Sequence, residues 1–241
     1  MRRALIVIPS FNEARALPGL LAELHRVATT LPQQLELLVI DDSSSDETGE
    51  VALAHGARCI RLGSNLGIGG AVQTGLRVAL AEGFDCAVQV DGDGQHLPSD
   101  LGPLLAALEG PDAPDLVVGS RFLRATGWQS SSARRLGKRW LSFVLNTFCD
   151  VRVTDPTSGF RAFGPRALQL FSRSFPYDFP EPESLSMARM AGLRHLEVPV
   201  EMRARATGQS SIGGLVPLYY MTKVTLAVLL SRVRNARRLR A

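Results

Sequence analysis

Cys86-Ala-Val-Gln-Val-Asp-Gly-Asp-Gly-Gln-His96 decides how this chain is read. Five residues without a charge, Cys86 to Val90, form a short apolar run of the kind that fills a buried strand. Then come two carboxylates two residues apart, Asp91 and Asp93, set between glycines that let the backbone turn sharply. Two such carboxylates in one tight turn can share a divalent cation. A hard ion such as Mg²⁺ or Mn²⁺ suits their oxygens and keeps positions open for phosphates. Gln95 or His96 can add a further ligand. Taken alone, an Asp-X-Asp turn is equally a solvated polar turn, so its position at the end of a strand carries the argument.

The same arrangement occurs twice more upstream. Ala4 to Ile8 is an apolar run closed by Pro9 and followed by Ser10-Phe-Asn-Glu13. Leu35 to Ile40 is another, ending in Asp41-Asp42-Ser43. Between the strand-like runs lie segments with helical spacing: Asn12 to about Thr29, Asp46 to His55, and Ala71 to Ala81 after a flexible turn at Gly67–Gly70. Cys59–Leu62 and Leu116–Val118 read as further strands, and Leu101–Leu108 as a helix. Alternation of this kind over the first 120 residues predicts a parallel sheet with helices on both faces. Ligands of such sheets bind outside the carboxyl ends of the strands, so three polar clusters at three strand ends predict one composite site.

Asp41 and Asp42 stand side by side, an unfavourable placement of like charges unless a ligand uses them. A carboxylate there can accept from a base N–H or a ribose hydroxyl. Ser45 to Thr48 can instead serve to cap the next helix. Asn65-Leu-Gly-Ile-Gly-Gly70 superficially resembles a dinucleotide fingerprint, but no acidic residue is well placed some 20 residues on, which argues against a dehydrogenase. Downstream, Arg134–Phe148 reads as a helix with one basic and one apolar face, Asp155–Arg161 as a loop, Leu185–Gly192 as a helix and His195–Val200 as a strand.

The 241 residues, 45% hydrophobic and 21% charged, are those of an ordinary globular α/β chain. The formal charge of +4 suits nucleic acid, an anionic lipid or a phosphorylated substrate. Arg134, Arg135, Lys138 and Arg139 form one basic cluster, and Arg232, Arg234, Arg237, Arg238 and Arg240 another. Cys59, Cys86 and Cys149 lack metal-ligand spacing and read as reduced thiols. The apolar run ending at Pro9 is too short for a signal peptide or a membrane span. Leu215–Leu230, interrupted by Lys223, falls short of the ~20 residues a spanning helix needs. It reads as a helix lying on a membrane with the arginine tail on anionic lipid, or as a packing helix.

Six motifs then stand in one order: Val7-Ile-Pro-Ser-Phe-Asn-Glu13, Val39-Ile-Asp-Asp-Ser-Ser-Ser-Asp46, Asn65-Leu-Gly-Ile-Gly69, Val90-Asp-Gly-Asp-Gly-Gln-His96, Gly119-Ser-Arg121 and Asp155-Pro-Thr-Ser-Gly-Phe-Arg161. Together they resemble the family-2 inverting glycosyltransferases of the GT-A fold, most of all those that transfer mannose or glucose to dolichyl or polyprenyl phosphate. The resemblance covers residues 4 to about 214. It implies an α/β fold with a Rossmann-like, mostly parallel sheet in residues 1–214, followed by an apolar helix and basic tail in 215–241. It also implies inverting transfer from a GDP- or UDP-sugar to a polyprenyl phosphate, with Mg²⁺ or Mn²⁺ as cofactor. The setting implied is cytoplasmic, at the cytoplasmic membrane face, with no nucleic-acid partner.

By the same resemblance, Pro9, Phe11, Glu13, Val39 and Asp41 surround the nucleoside. Asp91, Asp93 and Gln95 hold the metal on the diphosphate, Arg121, Arg134 and Lys138 face the acceptor phosphate, and Arg205 contacts the donor diphosphate. The catalytic set is Asp93, Arg121, Arg134 and Arg205. This chain departs from the pattern at Phe11, where Tyr is frequent, at Ser43-Ser44 in place of Gly-Ser, at Lys138 for Ser, and at Ser211 for Lys. Asp178-Phe-Pro-Glu-Pro-Glu183 replaces the usual acidic stretch, leaving Glu181 or Glu183 near the site. Three other functions remain open. A family-2 transferase acting on a sugar hydroxyl would use Asp155 as base. A nucleotidyltransferase would need the basic Gly-rich loop that Pro9–Glu13 is not. The last is a membrane-surface binding protein with a degenerate pocket.

Overall fold

The computed structural model describes residues 3–110, 112–123, 132–203, 223–227 and 230, and only the backbone of 132–138. Strand β1 (Arg3–Ser10) leads through α1 (Leu17–Ala28) to β2 (Gln34–Asp41), α2 (Thr48–Ala54), β3 (Arg58–Arg61), α3 (Gly67–Ala81) and β4 (Cys86–Gln89). Then follow α4 (Leu101–Ala107), β5 (Leu116–Ser120), α5 (Ser132–Cys149), β6 (Arg161–Phe163), α6 (Pro165–Arg173), α7 (Pro180–Met190) and β7 (His195–Pro199). One seven-stranded sheet results, in the order β3-β2-β1-β4-β6-β5-β7. Every pairing is parallel except those of β6, which runs antiparallel to both β4 and β5.

The apolar runs are continuous because both faces of the sheet are covered. Successive side chains of β1 point to opposite sides. Leu5 and Val7 join a core with Leu76 of α3, Leu145 of α5, Phe171 of α6 and Leu185 of α7. Ala4, Ile6 and Ile8 join the opposite core with Leu21 and Leu24 of α1, Ala52 of α2 and Leu104 of α4. Each of these leucines contributes roughly 1.5–3 kcal/mol by leaving water.

The structure corrects the sequence reading in several places. The first helix begins at Leu17, not Asn12, because Asn12 adopts a left-handed φ of 56° and its neighbours are tied to the β2 loop. Gly67–Gly70 is the first turn of α3 and not a separate flexible turn. Its glycines answer a packing need: a Cβ on Gly69 would lie 2.2 Å from the Pro176 carbonyl oxygen, and one on Gly70 2.5 Å from Leu66 Cβ. Strand β6 and helix α6 had no counterpart in the reading. Three residues are too few to show a period, but α6 carries Pro165 in its first turn and buried Leu168 and Phe171 at helical spacing, signals that were present. Of Leu215–Leu230, only 223–227 and 230 are described, all helical. Val224 is buried there, and Trp140 Nε1 donates to Thr225 Oγ1 at 3.1 Å, which fastens this segment to α5. No helix among the described residues is long and apolar enough to cross a membrane.

Candidate active site

Strands β1, β2, β4 and β5 are mutually parallel in direction, so Ser10, Asp41, Val90-Asp91 and Ser120-Arg121 all emerge at one edge of the sheet. The antiparallel β6 completes that edge by the opposite means. Arg161, its first residue, pairs with Gln89 on one side and Val118 on the other. The Asp155–Phe160 loop that precedes it is thereby delivered between Asp91 and Arg121.

On the β1–β2 side two loops are laced together. Ser44 Oγ accepts from Asn12 N, Thr48 Oγ1 from Glu13 N, and Asp46 Oδ2 from Ala14 N, while Asn12 Oδ1 accepts from Ser45 N. Capping is thus only part of what Ser45–Thr48 do: Asp46 Oδ1 does accept from Thr48 N, but the hydroxyls and carboxylate mainly hold the Phe11–Ala14 loop in place. Asp41 is fully buried. Its Oδ1 accepts from Ser44 N at 2.8 Å, whereas its Oδ2 has no hydrogen-bond partner among the described residues, with Arg61 Nε 3.7 Å away. A buried acceptor without a donor is costly, and a ligand N–H would satisfy it. Burial pushes the neighbouring Asp42 carboxyl above its ordinary pKa, against the pull of the Leu66 N–H it accepts.

At the β4 end, Asp91 is held on three sides. Gln89 Nε2 donates to its Oδ1 at 3.0 Å, and His96 Nε2 stands 3.7 Å from its Oδ2. The Asp91 N–H donates to His96 Nδ1, so that nitrogen carries no proton and the ring is the neutral Nε2–H tautomer, stacked on Phe160. His96 is therefore a buried support of Asp91 and not a ligand. Gly159 approaches so closely that a Cβ there would lie 2.6 Å from Asp91 Oδ2. Asp93 Oδ1 accepts from Gln95 N. Gln95 Nε2 donates to the Arg203 carbonyl, which leaves the amide oxygen as the atom for a cation. Among the described residues no three His, Cys, Asp or Glu side chains cluster as a closed metal site does. Asp91, Asp93 and the Gln95 oxygen are an all-oxygen set short of six, which fits a hard cation that takes its remaining ligands from a diphosphate and water.

Across the edge, Arg121 and Asp155 form a forked pair: Nε to Oδ2 at 2.6 Å and Nη2 to Oδ1 at 2.7 Å. Asp155 Oδ2 also accepts from Arg121 N, and Thr157 Oγ1 shares Nη2. Burial pulls the Arg121 pKa down, but hydrogen bonding and charge from Asp155, with Asp91 and Glu181 behind it, outweigh that and raise it. Arg161 is wholly buried and bonds Ser158 O and Ser184 Oγ. Burial draws its pKa down to about 10, so it remains a cation at neutral pH among Glu181, Asp155 and Asp91. Burial pushes the Glu181 carboxyl above its ordinary value despite the nearby Arg161.

Pro9, Phe11, Glu13, Asp41, Asp91, Asp93, Gln95 and Arg121 thus lie on loops and strand ends of one edge, with Phe11 49% exposed. Val39 does not present its side chain to that edge: it is buried in the core against α1. Arg134 and Lys138 lie in α5, in the stretch where the backbone alone is described, and Arg205 and Ser211 lie outside the described residues. Sequence reasoning passed over Arg61, Gly159 and the support of Asp91 by His96. A glycine in Ser-Gly-Phe was the only signal for the second.

The sequence pattern of glycosyl transferase family 2 matches residues 5–171. The chain belongs to that family. It is a glycosyltransferase. It is 33% identical over 224 residues to the undecaprenyl-phosphate mannosyltransferase of Micrococcus luteus, covering 88% of each chain. It is 30% identical over 226 residues to the polyprenol monophosphomannose synthase of Mycolicibacterium smegmatis, covering 88% of this chain and 82% of that one. The fold is also that of the glucosyl-3-phosphoglycerate synthase of Mycobacterium tuberculosis, solved with Mn²⁺ and UDP-glucose. The TM-score is 0.69 at 23% identity, covering 96% of this chain and 79% of that one. This family-2 transferase therefore shares the GT-A plan, a mixed seven-stranded sheet flanked by helices.

Proposed function

We propose that this family-2 transferase moves a sugar, with inversion, from a nucleoside-diphosphate sugar to a polyprenyl phosphate. Identity of 33% across 88% of an undecaprenyl-phosphate mannosyltransferase carries the choice of acceptor. In this reading the buried Asp41 Oδ2 accepts an imide or amide N–H of the donor's base, which uridine and guanosine both offer. Phe11, exposed on the laced loop, stacks on that base. Asp91, Asp93 and Gln95 would hold a divalent metal, a reading supported by the Mn²⁺ present in the solved relative's crystal, and when bound the ion would offset charge on the departing diphosphate. Arg205 adds to the same neutralisation.

The acceptor phosphate is already anionic near neutral pH, so its oxygen attacks the anomeric carbon without a strong base, as the bond to the diphosphate oxygen breaks. Arg121, with Arg134 and Lys138 from α5, offsets repulsion between the two anions and orients the nucleophile. The occupancy of Asp155 supports this over transfer to a sugar hydroxyl: the carboxylate proposed as base there is spent on Arg121. Exposed Trp140, Phe143 and Phe148 on α5, beside exposed Leu226, Leu230 and Lys223, support contact with the surface of an anionic membrane, which in this reading is the cytoplasmic face. Residues 1–214 then act as the transferase body and 215–241 as the membrane-surface segment.

The test is transfer to detergent-solubilised polyprenyl phosphate from a panel of UDP- and GDP-sugars with Mn²⁺. One donor should yield lipid-linked sugar, and Asp91→Ala should abolish the product. Turnover that survives Asp91→Ala, or a saccharide hydroxyl acceptor outcompeting the lipid phosphate, refutes the reading.

A further inference from the structure

Glu197 sits in the middle of β7, an edge strand, opposite Val118 of β5. A carboxylate at such a place is ordinarily left to water. This one spends both oxygens on the loop that carries Asp155. Its Oε2 accepts from Thr154 N at 2.7 Å, and its Oε1 accepts from Asp155 N at 2.9 Å and from Thr154 Oγ1 at 3.1 Å. The Thr154 hydroxyl has one proton, and Glu197 takes it. The 2.6 Å contact between Ser120 Oγ and Thr154 Oγ1 therefore has Ser120 as donor, and Ser120 immediately precedes Arg121. Asp155 in turn forks onto the Arg121 side chain and accepts from its N–H. The bonds close a ring through Glu197, Thr154, Ser120, Arg121 and Asp155.

We propose that Glu197 is a positioning residue for the transfer reaction. By fixing the Thr154–Asp155 backbone it sets the carboxylate that aims the Arg121 guanidinium at the acceptor phosphate. The inference rests on the reading of Arg121 as an acceptor-phosphate group. Backbone N–H groups bonded to a carboxylate make short, directional contacts, about twice as strong as neutral ones. Displacement of a phosphate-orienting group by about 1 Å is enough to cost up to a hundredfold in rate. A purely structural tie between loop and sheet would instead weaken the whole carboxyl edge, donor side included.

The experiment compares Glu197→Gln, Glu197→Ala, Arg121→Ala and the Glu197→Gln/Arg121→Ala pair in the full chain. Glu197→Gln comes first because it keeps volume while turning an amide –NH₂ against a backbone N–H. We expect kcat/KM for polyprenyl phosphate in detergent to fall about tenfold, with the affinity for UDP or GDP plus Mn²⁺ unchanged. The Glu197→Gln change should cost nothing further once Arg121 is alanine, because the two act as one unit. Three results overturn the proposal: full activity in Glu197→Gln, nucleotide affinity that falls in step with acceptor use, or losses that multiply in the double variant. If Arg121→Ala alone leaves transfer intact, the acceptor reading fails as well. If Arg121→Ala lowers acceptor use and Glu197→Gln does not disturb it, only the inference about Glu197 fails.

Discussion

The two flanks of the carboxyl edge are built in different ways. On the β1–β2 flank, neighbouring loops are held by many neutral or singly charged contacts between side chains and backbone, each from Ser, Thr, Asn or Asp. On the β5–β6 flank the geometry rests on a few charged groups: the buried Arg121–Asp155 pair, Glu197 on the Thr154–Asp155 backbone, and Arg161 behind them. The first design is redundant, and loss of one contact of about 1 kcal/mol leaves the others in place. The second concentrates its stability in a few charges, where removal of one partner strands the other.

That contrast is most exposed by Arg121→Ala. It leaves the buried Asp155 carboxylate without its cation, which costs about 3–5 kcal/mol, so the melting temperature should fall by many degrees together with a large but measurable fall in transfer. Ser44→Ala on the other flank should cost about 1 kcal/mol in the same melting experiment. Equal losses from the two would erase the distinction. Next in size is Gly159→Ala. Its Cβ would press on Asp91 Oδ2 at 2.6 Å, so apparent Mn²⁺ affinity, read by titration of nucleotide binding, should weaken about tenfold for each ~1.4 kcal/mol of displacement strain. Unchanged Mn²⁺ affinity would show that the loop yields without moving Asp91.

The charges of the second flank also set a pH dependence. Burial raises the folded pKa of Glu181, so the folded state holds its proton more tightly than the unfolded chain. Such a group is least costly below its unfolded pKa, and stability is lost as pH rises through the folded value. Glu181→Gln should therefore melt higher than the parent at pH 8, with the gap closing toward pH 4; melting curves of both across that range decide it. The smallest expected effect lies on the first flank. Ser43 adopts a left-handed φ of 63°, which glycine takes without a Cβ penalty, and the extra entropy of a glycine in the unfolded chain takes back most of that gain. Ser43→Gly should raise the melting temperature slightly and leave nucleotide affinity intact.

Legibility in the sequence divides along the same line. The β1–β4 half was readable because strands and helices alternate locally and each strand run ends in its own polar residues. The ordering of Asp41, Asp91 and Asp93 on one edge followed from parallel topology alone. In the β5–β6 half, β5 and α5 were readable as a strand and a helix, but the Arg121–Asp155 pair was not, since it joins residues 34 apart and depends on a reversed strand of three residues. Asp155 read from sequence as a candidate base. Only its partner shows that its oxygens are engaged. His96 read as a possible ligand until the direction of one hydrogen bond put its lone pair on a backbone N–H. Val39 shows the converse: its motif position suggested a nucleoside contact, while its place in the pleat turns its side chain into the core.

The reversed strand also bears on how the chain assembles. β1, β2, β3 and β4 pair with partners supplied within the first 89 residues, so this half can form as the chain emerges. Until Arg161–Phe163 arrive, β4 and β5 each present an unpaired edge facing the other, and both are apolar and prone to pair with another chain. Three residues close both edges at once. Variants that delay or weaken β6 should therefore reveal themselves first as aggregation during synthesis, before any loss of activity in the molecules that do fold.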